Sequence, residues 1–170
     1  EPMTASSRGV SEMLAAALDN AEVTAIYLGI GGSASTDGGA GMLSALGARI
    51  CDASGAVLAD GGGPLAAVAS VDLSSMHPRL NSVPITVACD VNNPLLGERG
   101  APAIFAPQKG ASPEQVRELD AALTTFSDRV TALVGRDDTS LPGAGAAGGV
   151  GYAAQAVLGA RMVAGVEFVL

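Results

Sequence analysis

The sequence predicts an α/β fold: a largely parallel sheet with helices on its faces and one inserted β-hairpin. Three observations carry that expectation. The runs Ala25 to Ile30 and Pro84 to Cys89 are short and nearly all apolar, as strands buried on both faces of a parallel sheet are. Segments with apolar residues at helical spacing alternate with them. Loops rich in glycine, serine and asparagine separate the two kinds of segment. At 170 residues the chain can bury a core of its own and reads as a single α/β domain over residues 1–170.

Each element follows in order. Residues 9–19 place Val10, Met13, Leu14 and Leu18 on one helical face, with Ser6 or Ser7 available as N-cap. The first apolar strand, Ala25 to Ile30, comes next. A short helix from Gly41 to Leu46 is closed by Gly47. "ARICDASGAVLA" reads as two short strands around an Asp-Ala-Ser-Gly turn, and "GGGPLAAVAS" as a loop with a short helix. The second strand, Pro84 to Cys89, ends at Asp90. "AIFAPQKG" reads as another short strand running into a polar loop. The strongest helix signal starts at Ser112, with Pro113 in the first helical position and Gln115 completing a capping box; Val116, Leu119, Leu123 and Phe126 share one face. A glycine loop, "PGAGAAGG", then opens an alanine-rich helix, and "GVEFVL" closes with a strand.

Composition excludes several classes of function. Net charge is −8 with nine dispersed basic residues, which argues against nucleic acid or an anionic membrane as partner. Aromatic residues are only 3% of the chain, so base stacking has little support. No apolar run approaches a membrane span, and the first residues lack the regions of a signal peptide. Cys51 and Cys89 lie in apolar segments without metal-ligand spacing and read as reduced core thiols of a cytoplasmic protein. His77 has no partner in the sequence pattern and reads as solvated, so neither a His-based triad nor a zinc site is expected. The chain begins without an initiator Met and stops within an apolar run, so it is expected to be a piece of a longer protein or a processed chain.

Three polar loops, at the ends of strands in this reading, are where an α/β protein builds its site. In the first, Gly31 and Gly32 remove side chains so that successive amides can face an anion, and Ser33, Ser35 and Thr36 add hydroxyls. Asp37, beside Gly38 and Gly39, is either a magnesium ligand or base next to that cradle, or the cap of the following helix. In the second, Asp90 could deprotonate a hydroxyl while Asn92 and Asn93 bond a hydroxy acid or hold magnesium through water; the alternative is an Asx-turn. The third carries Gln108 and Lys109, the single lysine in a chain that otherwise uses arginine, and a compact cation there suits phosphate or carboxylate. Two dinucleotide-type glycine patterns occur, Gly29-x-Gly31-x-x-Ala34 (with Asp52 downstream) and Gly143-x-Gly145-x-x-Gly148. Paired glycines in the first turns of the expected helix weigh against the first, and no strand precedes the second.

"GIGGSASTDGGAGMLSALG", "ACDVNNPLLGERGA", "FAPQKGAS" and "PGAGAAGGVGYA", in this order, resemble the signature segments of the bacterial glycerate kinase family. The resemblance covers nearly the whole chain and implies an ATP-dependent enzyme that phosphorylates D-glycerate. It implies a longer, two-domain α/β enzyme, of which this chain is similar to the middle, mostly the inserted domain; the partners are then D-glycerate, ATP and the missing flanking segments. It implies a loop at Gly31–Gly39 that holds a phosphate or the glycerate carboxylate, Asp37 and Asp90 as candidates for Mg2+ ligand and general base, and Lys109 offsetting anionic charge. The Gly143–Gly149 loop reads as either a second anion site or close packing of a helix, with packing favoured. The competing readings are a non-catalytic ligand-binding or structural α/β domain and, behind it, a nicotinamide-dependent 2-hydroxy-acid dehydrogenase.

Overall fold

A computed structural model describes residues 1–165. The final predicted strand, "GVEFVL", lies almost entirely outside the described residues. The parallel sheet is built from β1 (Ile26–Gly29), β4 (Ile85–Ala88) and β5 (Arg161–Val163) in the order β1-β4-β5. Register sets Ile26 beside Ile85, Leu28 beside Val87, and Val87 beside Met162. Ile26, Ile85 and Val87 are buried, whereas Tyr27 and Arg161, one residue out of phase, are exposed. The period of two thus turns one face of the sheet to the core.

That face is covered by helices whose sequence signals are local. The first, α1 (Arg8–Asp19), buries Leu14 and Leu18 and packs on α2 (Ala40–Ala45), which buries Met42 and Leu43. Arg79 closes the carboxyl end of α1 by donating to the carbonyls of Leu18, Asn20 and Val23. The long α4 (Pro113–Val134) has the predicted capping box: the Gln115 amide donates to Ser112 Oγ at 3.2 Å and the Ser112 amide to Gln115 Oε1 at 3.0 Å. Its face of Leu119, Leu123, Phe126 and Val130 is fully buried, and Gly135 ends it in a left-handed conformation. At the core, α5 (Val150–Ala156) contributes Tyr152, whose hydroxyl is pushed up to about 12 by burial.

The structure corrects three local expectations. The strand β2 (Arg49–Cys51) pairs antiparallel with β3 (Ser70–Asp72) rather than with the segment just after its turn, to which only the bridge Cys51–Val57 connects it. The turn itself forms, because Asp52 Oδ1 accepts from the Ser54 and Ala56 amides. Residues around "AIFAPQKG" are helical: α3 (Ala101–Phe105) runs into a 3-10 turn at Pro107–Lys109. Pro102 sits near the start of α3, where a missing N–H is tolerated, and α4 packs against α3 from the side. The apolar run Ile104-Phe105-Ala106 was too short to discriminate strand from helix by period alone. Finally, His77 is not simply solvated: its Nδ1 accepts from the Arg79 amide, which leaves Nε2 to face Asp19 Oδ1 at 3.2 Å.

Candidate functional site

At the carboxyl ends of β1 and β4 the chain leaves the sheet in the two polar loops the sequence singled out. The loop after β1 is held from below by glycines. A Cβ on Gly62 would stand 2.1 Å from the Thr36 carbonyl oxygen, and one on Gly148 would stand 2.0 Å from that of Ser35. The Gly38 amide donates to the Gly148 carbonyl at 3.0 Å. The glycine loop at Gly143–Gly149 therefore packs backbone against backbone on the first loop, as the packing reading expects. Immediately before α5, Ala147, Gly148 and Gly149 have φ of 51, 68 and 101°, a left-handed turn in which Ala147 is the single non-glycine residue with positive φ among the described residues.

Clamped in this way, the loop keeps its own donors unused. No backbone amide from Gly31 to Asp37 donates to another described residue; the first that does is Gly38. Ser35, Thr36 and Asp37 are nevertheless buried, where most amides are paired. A row of unpaired N–H groups on a glycine-rich turn is an arrangement that binds anions.

Lys109 reaches this loop from the 3-10 turn after α3. Its Nζ donates to the Ser35 carbonyl at 2.6 Å and to Ser33 Oγ at 3.1 Å. Burial pushes the Lys109 ammonium below the usual lysine range, while the Asp37 charge works in the other direction. A cleft of about 150 Å³ opens between them, lined by Gly31, Gly32, Ser33, Gln108 and Lys109, with Val91, Phe105, Ala147 and Gly148 among the remaining walls. All four segments picked out by sequence meet here. Phe105, Val91 and Ala147 had been missed, because neither an apolar side chain nor a left-handed alanine carries a chemical signature in sequence.

The predicted site residues divide accordingly. Gly31, Gly32, Ser33, Gln108 and Lys109 line the cleft, and Ser35 lies beside it. Thr36, Gly38 and Gly39 are buried beneath it; a Cβ on Gly38 would meet Phe126 and one on Gly39 would meet Ala153. Asp37 is wholly buried: Oδ2 accepts from the Ser7 amide (2.8 Å), Ser7 Oγ (2.9 Å) and the Gly41 amide (3.2 Å), and Oδ1 from the Gly39 amide (3.1 Å). Ser7 Oγ in turn accepts from the Met42 amide. This is the capping geometry, extended to tie the start of α1 to the start of α2. Burial raises the Asp37 carboxyl above its ordinary range against the pull of those donors. Asp90 is exposed and accepts from the Gly165 amide at 2.8 Å; Asn92 is exposed, and Asn93 Nδ2 donates to the Arg99 carbonyl.

Among the described residues no group of three or more His, Cys, Asp or Glu side chains is placed to hold a metal ion. Both oxygens of Asp37 are engaged, and one oxygen of Asp90 is. The remaining Asp90 oxygen is free of any described partner.

The Lys109 geometry carries a pH dependence. An anion in the cleft favours the ammonium form, whereas burial favours the neutral amine. Phosphate affinity is expected to fall as pH rises through a lysine pKa below 10.5, and to stay flat over the same range in Lys109→Arg. Calorimetric titration of inorganic phosphate at a series of alkaline pH values measures this.

The model of the glycerate kinase family matches residues 1–170. A glycerate 2-kinase from Escherichia coli K12 is 47% identical over 169 residues, covering 99% of this chain and 44% of that protein. A glycerate kinase from Halalkalibacterium halodurans is 46% identical with the same coverage. A crystal structure from Salmonella typhimurium LT2, assigned to glycerate kinase 2, is 48% identical and superposes with a TM-score of 0.96 over 99% of this chain and 46% of that one. The chain spans less than half the length of the curated relatives it matches. Among the described residues no helix is long and apolar enough to cross a membrane.

Proposed function

This chain belongs to the glycerate kinase family, and from that premise we propose that it forms the phosphate-handling part of a cytoplasmic enzyme transferring a phosphoryl group from ATP to a hydroxyl of D-glycerate. The observation that carries the reading is the cleft where Lys109 meets a clamped loop of unpaired amides. The name of the glycerate 2-kinase relative supports the 2-hydroxyl as acceptor.

Phosphoryl transfer needs alignment and charge stabilisation more than covalent help from the protein. In this reading the unpaired amides of Gly31, Gly32 and Ser33 serve the transferring group or the carboxylate, on a loop whose next residues, Ser35 and Thr36, are backed by Gly148 and Gly62. Lys109 supplies the cation. Its hydrogen bond to the Ser35 carbonyl holds it at the mouth of the cleft, and its partial desolvation strengthens its hold on an anion. Magnesium brought with ATP would supply neutralisation of the phosphate charge. Asp37 supports the loop from beneath, and Asp90 is the candidate of this chain for taking the hydroxyl proton.

The test is ADP release from ATP and magnesium, dependent on D-glycerate, measured on the natively encoded protein. Lys109→Ala is expected to lower kcat/KM by about 100-fold with an unchanged fold, the loss typical of one preorganised stabilising donor. Anion binding without glycerate-dependent ADP release would give the competing reading, a ligand-binding domain.

A further inference from the structure

Ser33 and Lys109 meet in the cleft in a way that phosphoryl transfer does not use. Ser33 Oγ and Lys109 Nζ are 3.1 Å apart, and Nζ also donates to the Ser35 carbonyl at 2.6 Å. Lys109 forms no ion pair among the described residues, and it is the one charged side chain on the cleft wall. Asp37, beneath the loop, is the charged group that acts on it, and burial outweighs that charge and favours the neutral amine. Once Nζ loses a proton, its lone pair accepts from the Ser33 hydroxyl across the same 3.1 Å, while a remaining hydrogen stays on the Ser35 carbonyl. That carbonyl packs directly on Gly148, where an added Cβ would stand 2.0 Å from its oxygen. The base is therefore oriented by a fixed third group. Ser33 is half-buried on the cleft wall, and the amides of Ser33 and Ala34 donate to no described residue.

We infer that Ser33 and Lys109 form a nucleophile–base pair that takes acyl groups from small activated esters. A hydroxyl beside a base that a third group orients is the arrangement that activates a nucleophile. Ser33 Oγ attacks the ester carbonyl carbon, and its proton passes to the Lys109 amine. The bond from that carbon to the leaving oxygen breaks, and the leaving oxygen takes the proton from the Lys109 ammonium. Water then cleaves acyl-Ser33, with Lys109 taking its proton and returning it to Ser33 Oγ. One ester and one water are consumed; one alcohol and one carboxylic acid are released. A cleft of about 150 Å³ suits a short acyl group such as acetyl rather than a long chain. This activity is separate from phosphoryl transfer and uses the other form of Lys109. Anion binding needs the ammonium and ester attack needs the amine, so the two respond to rising pH in opposite directions.

The experiment uses the natively encoded protein without nucleotide, with p-nitrophenyl acetate as substrate and an alkyl fluorophosphonate as covalent probe. Peptide mass mapping is expected to place the phosphonate on Ser33. Ser33→Ala and Lys109→Arg are each expected to slow nitrophenolate release by about 100-fold, the usual contribution of a positioned base. Arginine keeps the charge but does not give up its proton. Ser33 Oγ has no described partner besides Lys109, so alanine should leave the fold intact, which the denaturant midpoint checks. The wild-type rate above uncatalysed hydrolysis should rise with pH through a lysine pKa below 10.5, and Lys109→Arg should lack that rise. Ser33 left unlabelled by the probe overturns the pair, as does Ser33→Ala turning over as fast as wild type. A stable acetyl group on Lys109 in place of Ser33 also overturns it, because the amine would then be the nucleophile. The outcome separates from that of the kinase assay. Glycerate-dependent ADP release with Ser33 unlabelled removes the pair alone, and a labelled Ser33 without ADP release removes the kinase reading alone.

Discussion

Replacing Asp37 by alanine is expected to destabilise the protein by about 3 kcal/mol or more. The carboxylate accepts four hydrogen bonds, and its removal strands three buried amides at about 1–3 kcal/mol each. It also weakens the tie between α1 and α2, since Ser7 loses Asp37 and keeps only the bond from the Met42 amide. Asp37→Asn keeps the shape but turns an amide donor toward one of those donors, so it too should lower the denaturant midpoint, by a smaller amount. Turnover of the folded Asp37→Asn fraction should stay within about tenfold of wild type, because a base role would require an oxygen free to face substrate. Loss of turnover by orders of magnitude with an unchanged midpoint would restore the catalytic role that the sequence left open. Chemical unfolding and initial rates on the same samples read both quantities.

The second large effect is expected at Gly148. A Cβ there would lie 2.0 Å from the Ser35 oxygen and 2.9 Å from Thr36 Cα, both backbone atoms, at a φ of +68°. The left-handed conformation alone costs an alanine about 1–2 kcal/mol. The overlap adds to this, because the Ser35 carbonyl that would have to move is the one Lys109 donates to. Gly148→Ala should therefore destabilise the fold by about 3 kcal/mol and, in whatever folds, shift the loop enough to lower turnover by about 100-fold, as an ångström of misplacement can. Gly55→Ala is the control. Its φ is +85° with nothing within 4 Å of the added carbon, so it isolates the conformational strain from the close approach. Equal losses at the two positions would show that the loop is not clamped.

How far the site could be read from sequence follows from how local each part is. The glycine loop, Gln108 and Lys109 were legible because glycine runs and a lone lysine are unusual in themselves. Asp37 was legible as a helix cap but not as a tie between two helices, because its partner Ser7 lies thirty residues away in the chain and nothing in "STDGG" names it. Asn92 was drawn toward the site by its place after a strand, yet the residue of that loop lining the cleft is Val91. Likewise Ala147 gained its place from a backbone angle that the neighbouring glycines permit.

The sequence by itself determined the elements whose signals are complete within one or two turns of chain. The capping box at Ser112 and the apolar runs that became β1 and β4 stand as their residues indicate. It also determined the family, through four segments in register. Tertiary structure alone decided that Arg49–Cys51 pairs with Ser70–Asp72, that Ala101–Phe105 is helical against α4, and that Asp37 is enclosed by Ser7. In each of these cases the local preference is weak, a short apolar run or a single carboxylate compatible with more than one state. The choice then falls to partners distant in sequence, through buried area and paired hydrogen bonds that exist only once the chain has folded.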